Sequence, residues 1–199
     1  MNALRLMPDV GRTRTSWAVP RAVAVDSNAL TYLIEANQPD YDPSTDLQLG
    51  KQRLAMIRTL FYSDRLLWVG PTVEAEYKKI LNPEKYDDHR RIAQYVLEDQ
   101  PLRVDAALLE ARVRELKGRH RGEADCRVLA ETEFAGLDTL LSCDGDMLSA
   151  FTGMSTVTIQ QPSEFWESLA ITAGTMPIRS PAPGHPLFGK DWWRIGVSP

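Results

Sequence analysis

Cysteine is scarce in this chain, with only Cys126 and Cys143 among 199 residues. Two thiols cannot build a disulfide framework, and no paired Cys/His spacing is present to hold zinc. Both read as small core residues, and the expected compartment is a reducing, cytoplasmic one. Histidine is nearly as rare, and none of His89, His120 and His185 stands in a constellation that makes it a ligand. Long apolar runs are missing too. Nothing approaches the roughly 18 consecutive apolar residues of a membrane span, so no membrane association is expected. The first twenty residues carry three arginines but lack the apolar stretch of about 7 to 15 residues that a secretory signal needs. Positive charge is not in excess either. The net charge of -4 excludes a protein that grips nucleic acid through a broad basic surface, and leaves room only for a local basic patch.

The remaining composition is that of a globular domain, with 43% hydrophobic, 25% charged and 8% aromatic residues. The length predicts one domain with appendages. Residues 1–20 are expected to be a flexible amino-terminal arm, 21–170 the domain, and 171–199 a proline-rich carboxyl-terminal tail. Inside the domain the strand AVAVD at 22–26 runs into a helical pattern with Leu30, Leu33 and Ile34 on one face. A second helix, capped by Ser44 or Thr45, runs to about residue 62 with Leu54, Ile57, Leu60 and Phe61 aligned. RLLWVG at 65–70 is the next strand. A helix over VEAEYKKIL follows, ended by Asn82-Pro83. Two amphipathic helices are expected at 84–98, with Ile92, Tyr95 and Val96, and at 104–117, with Leu108, Leu109, Val113 and Leu116. A helix then begins near Gly122, before strands at 139–144 and 155–160 and a short helix from Pro162. Helices alternating with short uninterrupted apolar strands predict an α/β sandwich on a mostly parallel sheet.

In such sheets a ligand site lies outside the carboxyl ends of the strands. Asp26 follows the first strand, and Asp144 and Asp146 follow the strand at 139–144. These three acids are expected to converge. Asp125 falls between Val128 and Leu129 on the apolar face of its helix, whereas Glu123 faces the other way. Burying an ionised carboxylate costs several kcal/mol, roughly, unless it gains a partner. A helix dipole returns only about 0.3 to 1 kcal/mol, so a divalent cation is the better explanation. Glu74 and Glu76 flank the stripe Val73, Tyr77, Ile80, Leu81 at similar angles, and geometry does not choose between them. The plainer roles are clear for the others: Asp26 as a helix cap, and Asp144 and Asp146 as turn formers around Gly145.

The order VDSNAL, PTVEAEY, GEADCRVLA, LLSCDGDML resembles the PIN domain, including the ribonuclease toxins of VapC-like toxin-antitoxin modules, over residues 22–165. The resemblance implies a three-layer α/β/α sandwich. It also implies a catalytic and metal-holding set of Asp26, Glu76, Asp125 and Asp144, with Asp146 as a variable fifth acid and Asn28 and Ser142 in support. The implied cofactor is Mg²⁺ or Mn²⁺, as one or two ions. Asp26, Asp125 and Asp144 would hold metal directly or through water, Glu76 would bind a second ion or the attacking water, and Asn28 and Ser142 would hydrogen-bond carboxylates or phosphate. The implied activity is endonucleolytic cleavage of RNA, and the implied partner is a small antitoxin protein.

Lys117, Arg119 and Arg121 in KGRHR, with Lys78 and Lys79 beside Glu76, are candidate RNA contacts; their plainer reading is a solvated surface. Trp192-Trp193 is expected to dock on the chain itself or at a homodimer contact. Two further readings compete: an RNA-processing PIN nuclease without an antitoxin, and a catalytically inactive PIN-like module that binds RNA or protein. An aspartyl phosphatase fits poorly, since it wants D-x-D-x-T where this chain has Asp26-Ser27-Asn28.

Overall fold

A computed structural model describes residues 22–45, 47–98 and 102–197. The expected amino-terminal arm lies outside the described residues. The order is β1 (Ala22–Val25), α1 (Ser27–Ala36), α2 (Leu47–Tyr62), β2 (Leu66–Val69), α3 (Pro71–Tyr77), α4 (Pro83–Val96), β3 (Leu97–Glu98), α5 (Ala106–Lys117), α6 (Glu123–Phe134), β4 (Thr139–Leu141), α7 (Gly145–Ala150), β5 (Thr158–Gln160) and α8 (Pro162–Ser168). All five strands pair in parallel, in the order β3-β2-β1-β4-β5.

That order reverses direction at β1. The chain walks outward from β1 to β2 and β3, then crosses back to β4 and β5. Because parallel crossovers are right-handed, the two walks place their helices on opposite faces of the sheet. One layer has α1 packed on α2 and α4, and α2 on α8; the other has α5 on α6. The molecule is therefore a three-layer α/β/α sandwich. Its core fills from both sides: Leu30, Leu33, Ile57 and Phe61 below, Val113, Leu116, Leu129 and Ala130 above, all buried. Each large apolar side chain removed from water contributes about 1.5–3 kcal/mol.

Several expectations need correction. The residues read as the end of a helix at 84–98 include β3, whose Leu97 and Glu98 pair with Leu67 and Trp68; the side chains of the expected Ile92, Tyr95 and Val96 face lie outside the described ones. Ser44 and Thr45 do not cap α2. Both turn back to Asp42, Ser44 through its N–H and hydroxyl to the carboxylate and Thr45 through its hydroxyl to the carbonyl. The helix over VEAEYKKIL stops at Tyr77, after which Lys79 and Ile80 close three-residue turns on Glu76 and Tyr77. Leu81 consequently leaves the apolar stripe and is 96% exposed. Asn82 opens α4, its Oδ1 accepting the Lys85 N–H at 3.0 Å with Pro83 at the first helical position. Leu108 is likewise exposed, while Val113 and Leu116 carry the contact of α5 with the core.

One carboxylate outside the expected set is structural. Helix α3 begins at Gly70, which has no capping side chain. Glu131 of α6 supplies the cap: it accepts the Thr72 N–H at 3.0 Å and the Thr72 hydroxyl at 2.6 Å. Gly70 permits the approach, since a Cβ there would stand 2.6 Å from Glu131 Oε2.

Candidate acidic site at the β1/β4 switch

The reversal of strand order between β1 and β4 opens a crevice at their carboxyl ends, where open α/β sheets place ligands. Val25 lies opposite Leu141, and the Asp26 N–H continues the ladder by donating to the Leu141 carbonyl at 3.0 Å. The next residue of each chain is thus Asp26 on one side and Ser142 on the other, at the mouth of the crevice.

Asp26 is buried, 7% exposed. Its Oδ1 caps α1 by accepting the Ala29 N–H at 2.7 Å, so the helix-cap reading of this residue holds. Burial pushes its carboxyl up to about 6; the N–H groups of Ala29 and Asn28 and the Ser142 hydroxyl oppose that shift, and the charge of Asp125 adds to it. Ser142 is fully buried and also accepts the Asp144 N–H at 3.0 Å, so one hydroxyl joins the two strand ends. Asp144 caps α7 through Oδ1, taking the N–H groups of Asp146 and Met147 at 2.8 and 2.9 Å. Asp146 itself is exposed in the first turn of α7.

Asp125 approaches from α6, half-buried, with Oδ2 held 2.6 Å from His120 Nε2. The His120 ring was assigned no role from the sequence. Its partner could be suspected only from its place in KGRHRG, immediately ahead of the acid-bearing helix. Glu76 reaches the site by a different route, since the Ser27 hydroxyl donates to its Oε2. Glu74 turns outward to Lys78 at 2.6 Å. The structure therefore separates the two glutamates that helical geometry left equivalent.

The acids gather around the strand ends without closing on one point: among the described residues no three His, Cys, Asp or Glu side chains come together as a ready-made metal cage. Asp26 meets Asp125 through its charge and Asp144 through Ser142, while Glu76 meets Ser27, which follows Asp26. The expected convergence of Asp26, Asp144 and Asp146 is looser than the strand pattern implied, because each aspartate at a strand end is turned to cap the helix behind it and Asp146 is already in that helix. A hydrated Mg²⁺ or Mn²⁺ keeps several waters and uses few protein oxygens, so these acids would hold one partly through its waters. The donor set is oxygen throughout, and a buried carboxylate with a raised pKa is one that a nearby cation would ionise.

Of the basic candidates, Lys78 pairs with Glu74 and Lys117 with Glu123, each at 2.6 Å. Lys79, Arg119 and Arg121 are exposed and carry no ion pair among the described residues. The side chain of Asn28 is exposed at the start of α1. Cys126 is buried and donates to the His120 carbonyl; burial pushes the Cys143 thiol up to about 12, with the Asp26 charge adding. Neither is poised as a nucleophile at neutral pH. A cavity of about 190 Å³ opens beside Glu76, walled by Leu30, Val73, Tyr77 and Ile80, with Lys85 among its lining residues.

The sequence matches no family model and no curated protein. Among solved structures, the chain superposes on one described as the crystal structure of FitAcB from Neisseria gonorrhoeae, at 17% identity and a TM-score of 0.45, over 70% of this chain and 97% of that one. So distant a likeness bears no functional weight. Among the described residues no helix is long and apolar enough to cross a membrane.

Proposed function

We propose that this chain is a metal-dependent endoribonuclease of PIN type. The observation that carries the reading is the buried Asp26 carboxylate at the β1/β4 switch, joined through the Ser142 hydroxyl to the backbone N–H of Asp144 and within electrostatic reach of Asp125. A bound Mg²⁺ or Mn²⁺ would supply an activated water and neutralise charge on the phosphodiester. Asp26, Asp125 and Asp144 would hold the ion, directly or through its waters, and Ser142 keeps the two strand-end acids in register. Glu76, held by the Ser27 hydroxyl, would orient water or a second ion. Lys79, Arg119 and Arg121 would give the phosphate backbone a basic rim, and the cavity beside Glu76, lined by apolar and polar side chains, has room for one unstacked base. The motif resemblance extends the proposal to a toxin held by a small antitoxin protein.

The test is cleavage of total RNA in Mg²⁺, Mn²⁺ or EDTA, run beside Asp26→Asn and Asp144→Asn. We expect cleavage with either metal, none in EDTA, and loss of cleavage in each variant. Full activity of Asp26→Asn in Mn²⁺ would overturn the assignment.

A further inference from the structure

Asp125, unlike Asp26 and Asp144, caps no helix. Asp26 and Asp144 each cap the helix that follows them. Asp125 also sits in a first turn, where N–H groups seek acceptors, and α6 has no side-chain cap at Gly122. Yet among the described residues no backbone N–H bonds the Asp125 carboxylate. Its Oδ2 goes to His120 Nε2 at 2.6 Å instead.

The surroundings fix that contact from several directions. The His120 N–H donates to the Leu116 carbonyl at 3.1 Å, and its own carbonyl accepts the Cys126 thiol at 3.5 Å. The ring is largely covered and stands edge-on to Phe151, with centroids 5.2 Å apart. Gly122 lies against this contact: a Cβ there would strike Asp125 Oδ2 and stand 2.6 Å from His120 Nε2. The loop after α5 is thus built so that an N–H donor, and no bulk, meets this one oxygen. An imidazole that served only to fill the loop would need neither the short contact nor the bare glycine.

We infer that His120 is a positioning residue for Asp125: by holding Oδ2 it fixes the rotamer of the carboxylate that would hold the metal of the proposed nuclease. This rests on the reading of the preceding subsection. Partners of ligating carboxylates typically change metal affinity or activity by roughly 10–100-fold when removed.

Two variants separate positioning from packing. His120→Phe keeps an aromatic ring against Phe151 and loses the donor; His120→Gln places an amide N–H at similar reach and loses the ring. Mn²⁺ affinity is measured by electron paramagnetic resonance titration, RNA cleavage by initial rate, and fold by thermal melting. We expect His120→Phe to melt near the wild type and to lose about 10–100-fold in both Mn²⁺ affinity and cleavage, with His120→Gln recovering most of the loss. Wild-type Mn²⁺ affinity and cleavage in His120→Phe would overturn the positioning role while leaving the nuclease reading intact. Equal losses in both variants, tracking a fall in melting temperature, would also overturn it in favour of packing. A wild-type chain that neither binds Mn²⁺ nor cleaves RNA would overturn both proposals together.

Discussion

Asp26 shows what a carboxylate at a strand tip costs before any ligand arrives. Its pKa is raised from 3.8 to about 6, with burial the leading cause, so the folded protein holds that proton more tightly than the unfolded chain does. Stability therefore falls as pH rises from about 4 through 6, and above that window the full penalty, up to about 3 kcal/mol, is present. Asparagine caps a helix as well as aspartate does and carries no charge. Asp26→Asn should accordingly melt higher than the wild type above pH 7 in EDTA, and the difference should vanish below about pH 4. Adding Mg²⁺ should raise the wild-type melting temperature and leave the variant where it was. A variant destabilised equally at both pH values would show that burial imposes no such penalty. Residues of this kind were legible in the sequence because an uninterrupted apolar strand ended in them. His120 was not, since its contact depends on the course of the KGRHRG loop and on a missing Cβ at Gly122. Glu131 was not either: its helix gives no sign that it reaches across to Thr72.

At the scale of elements, β1, β2 and β4 could be read from their runs of apolar residues, and α1 and α6 from their stripes. β3 could not, because two residues that continue a helical pattern become a strand only through pairing with Leu67 and Trp68. The segment after α8 was legible as proline-rich, with its Trp pair docked on the chain or at a homodimer contact, but its anchoring through Ile178 and Arg179 was not. It is fastened to the end of α2: the Ile178 and Arg179 N–H groups donate to the Phe61 carbonyl at 2.8 and 3.0 Å, and the Arg179 side chain donates to the carbonyls of Leu60 and Ser63. His185 sits in this junction, buried, its ring edge-on to Phe61 and its Nδ1 accepting the Leu187 N–H at 3.0 Å. Burial pushes it from 6.5 down to about 4. The fold favours the neutral ring, so its contribution is complete above pH 6.5 and is lost as pH falls towards 4, by up to about 3 kcal/mol. Asparagine at this position offers an acceptor to the same N–H and does not titrate. The melting temperature of the wild type should thus drop more steeply than that of His185→Asn between pH 6.5 and 4; parallel curves would remove His185 from the account.

The whole molecule then includes its tail as part of the packed structure. Trp193 is 2% exposed, lies against Phe61 and Tyr62 with centroids 4.6 and 6.0 Å away, and donates its indole N–H to the Lys190 carbonyl at 2.7 Å. Arg58 of α2 donates to the carbonyls of Trp193, Arg194 and Val197, and Tyr41 meets Trp192 edge-on. The Trp pair therefore docks on its own chain. The anchors at Leu60, Phe61 and Ser63 come just before β2 begins, at the amino edge of the sheet, whereas Asp26 and Ser142 lie at the carboxyl edge. The tail's anchors and the candidate site thus lie at opposite ends of the strands. Trp193→Ala removes a large side chain from a closed site, which costs about 3–5 kcal/mol and, for a chain of this length, lowers the melting temperature by roughly 6–20 °C. Well below that transition the variant should cleave RNA at the wild-type rate per folded molecule, because among the described residues no contact of the tail touches the acids. Thermal melting and initial rates on one preparation test both halves: an unchanged melting temperature would mean that the tail is held too weakly to count as part of the fold, and a lost rate in folded protein would mean that the two edges of the sheet are coupled.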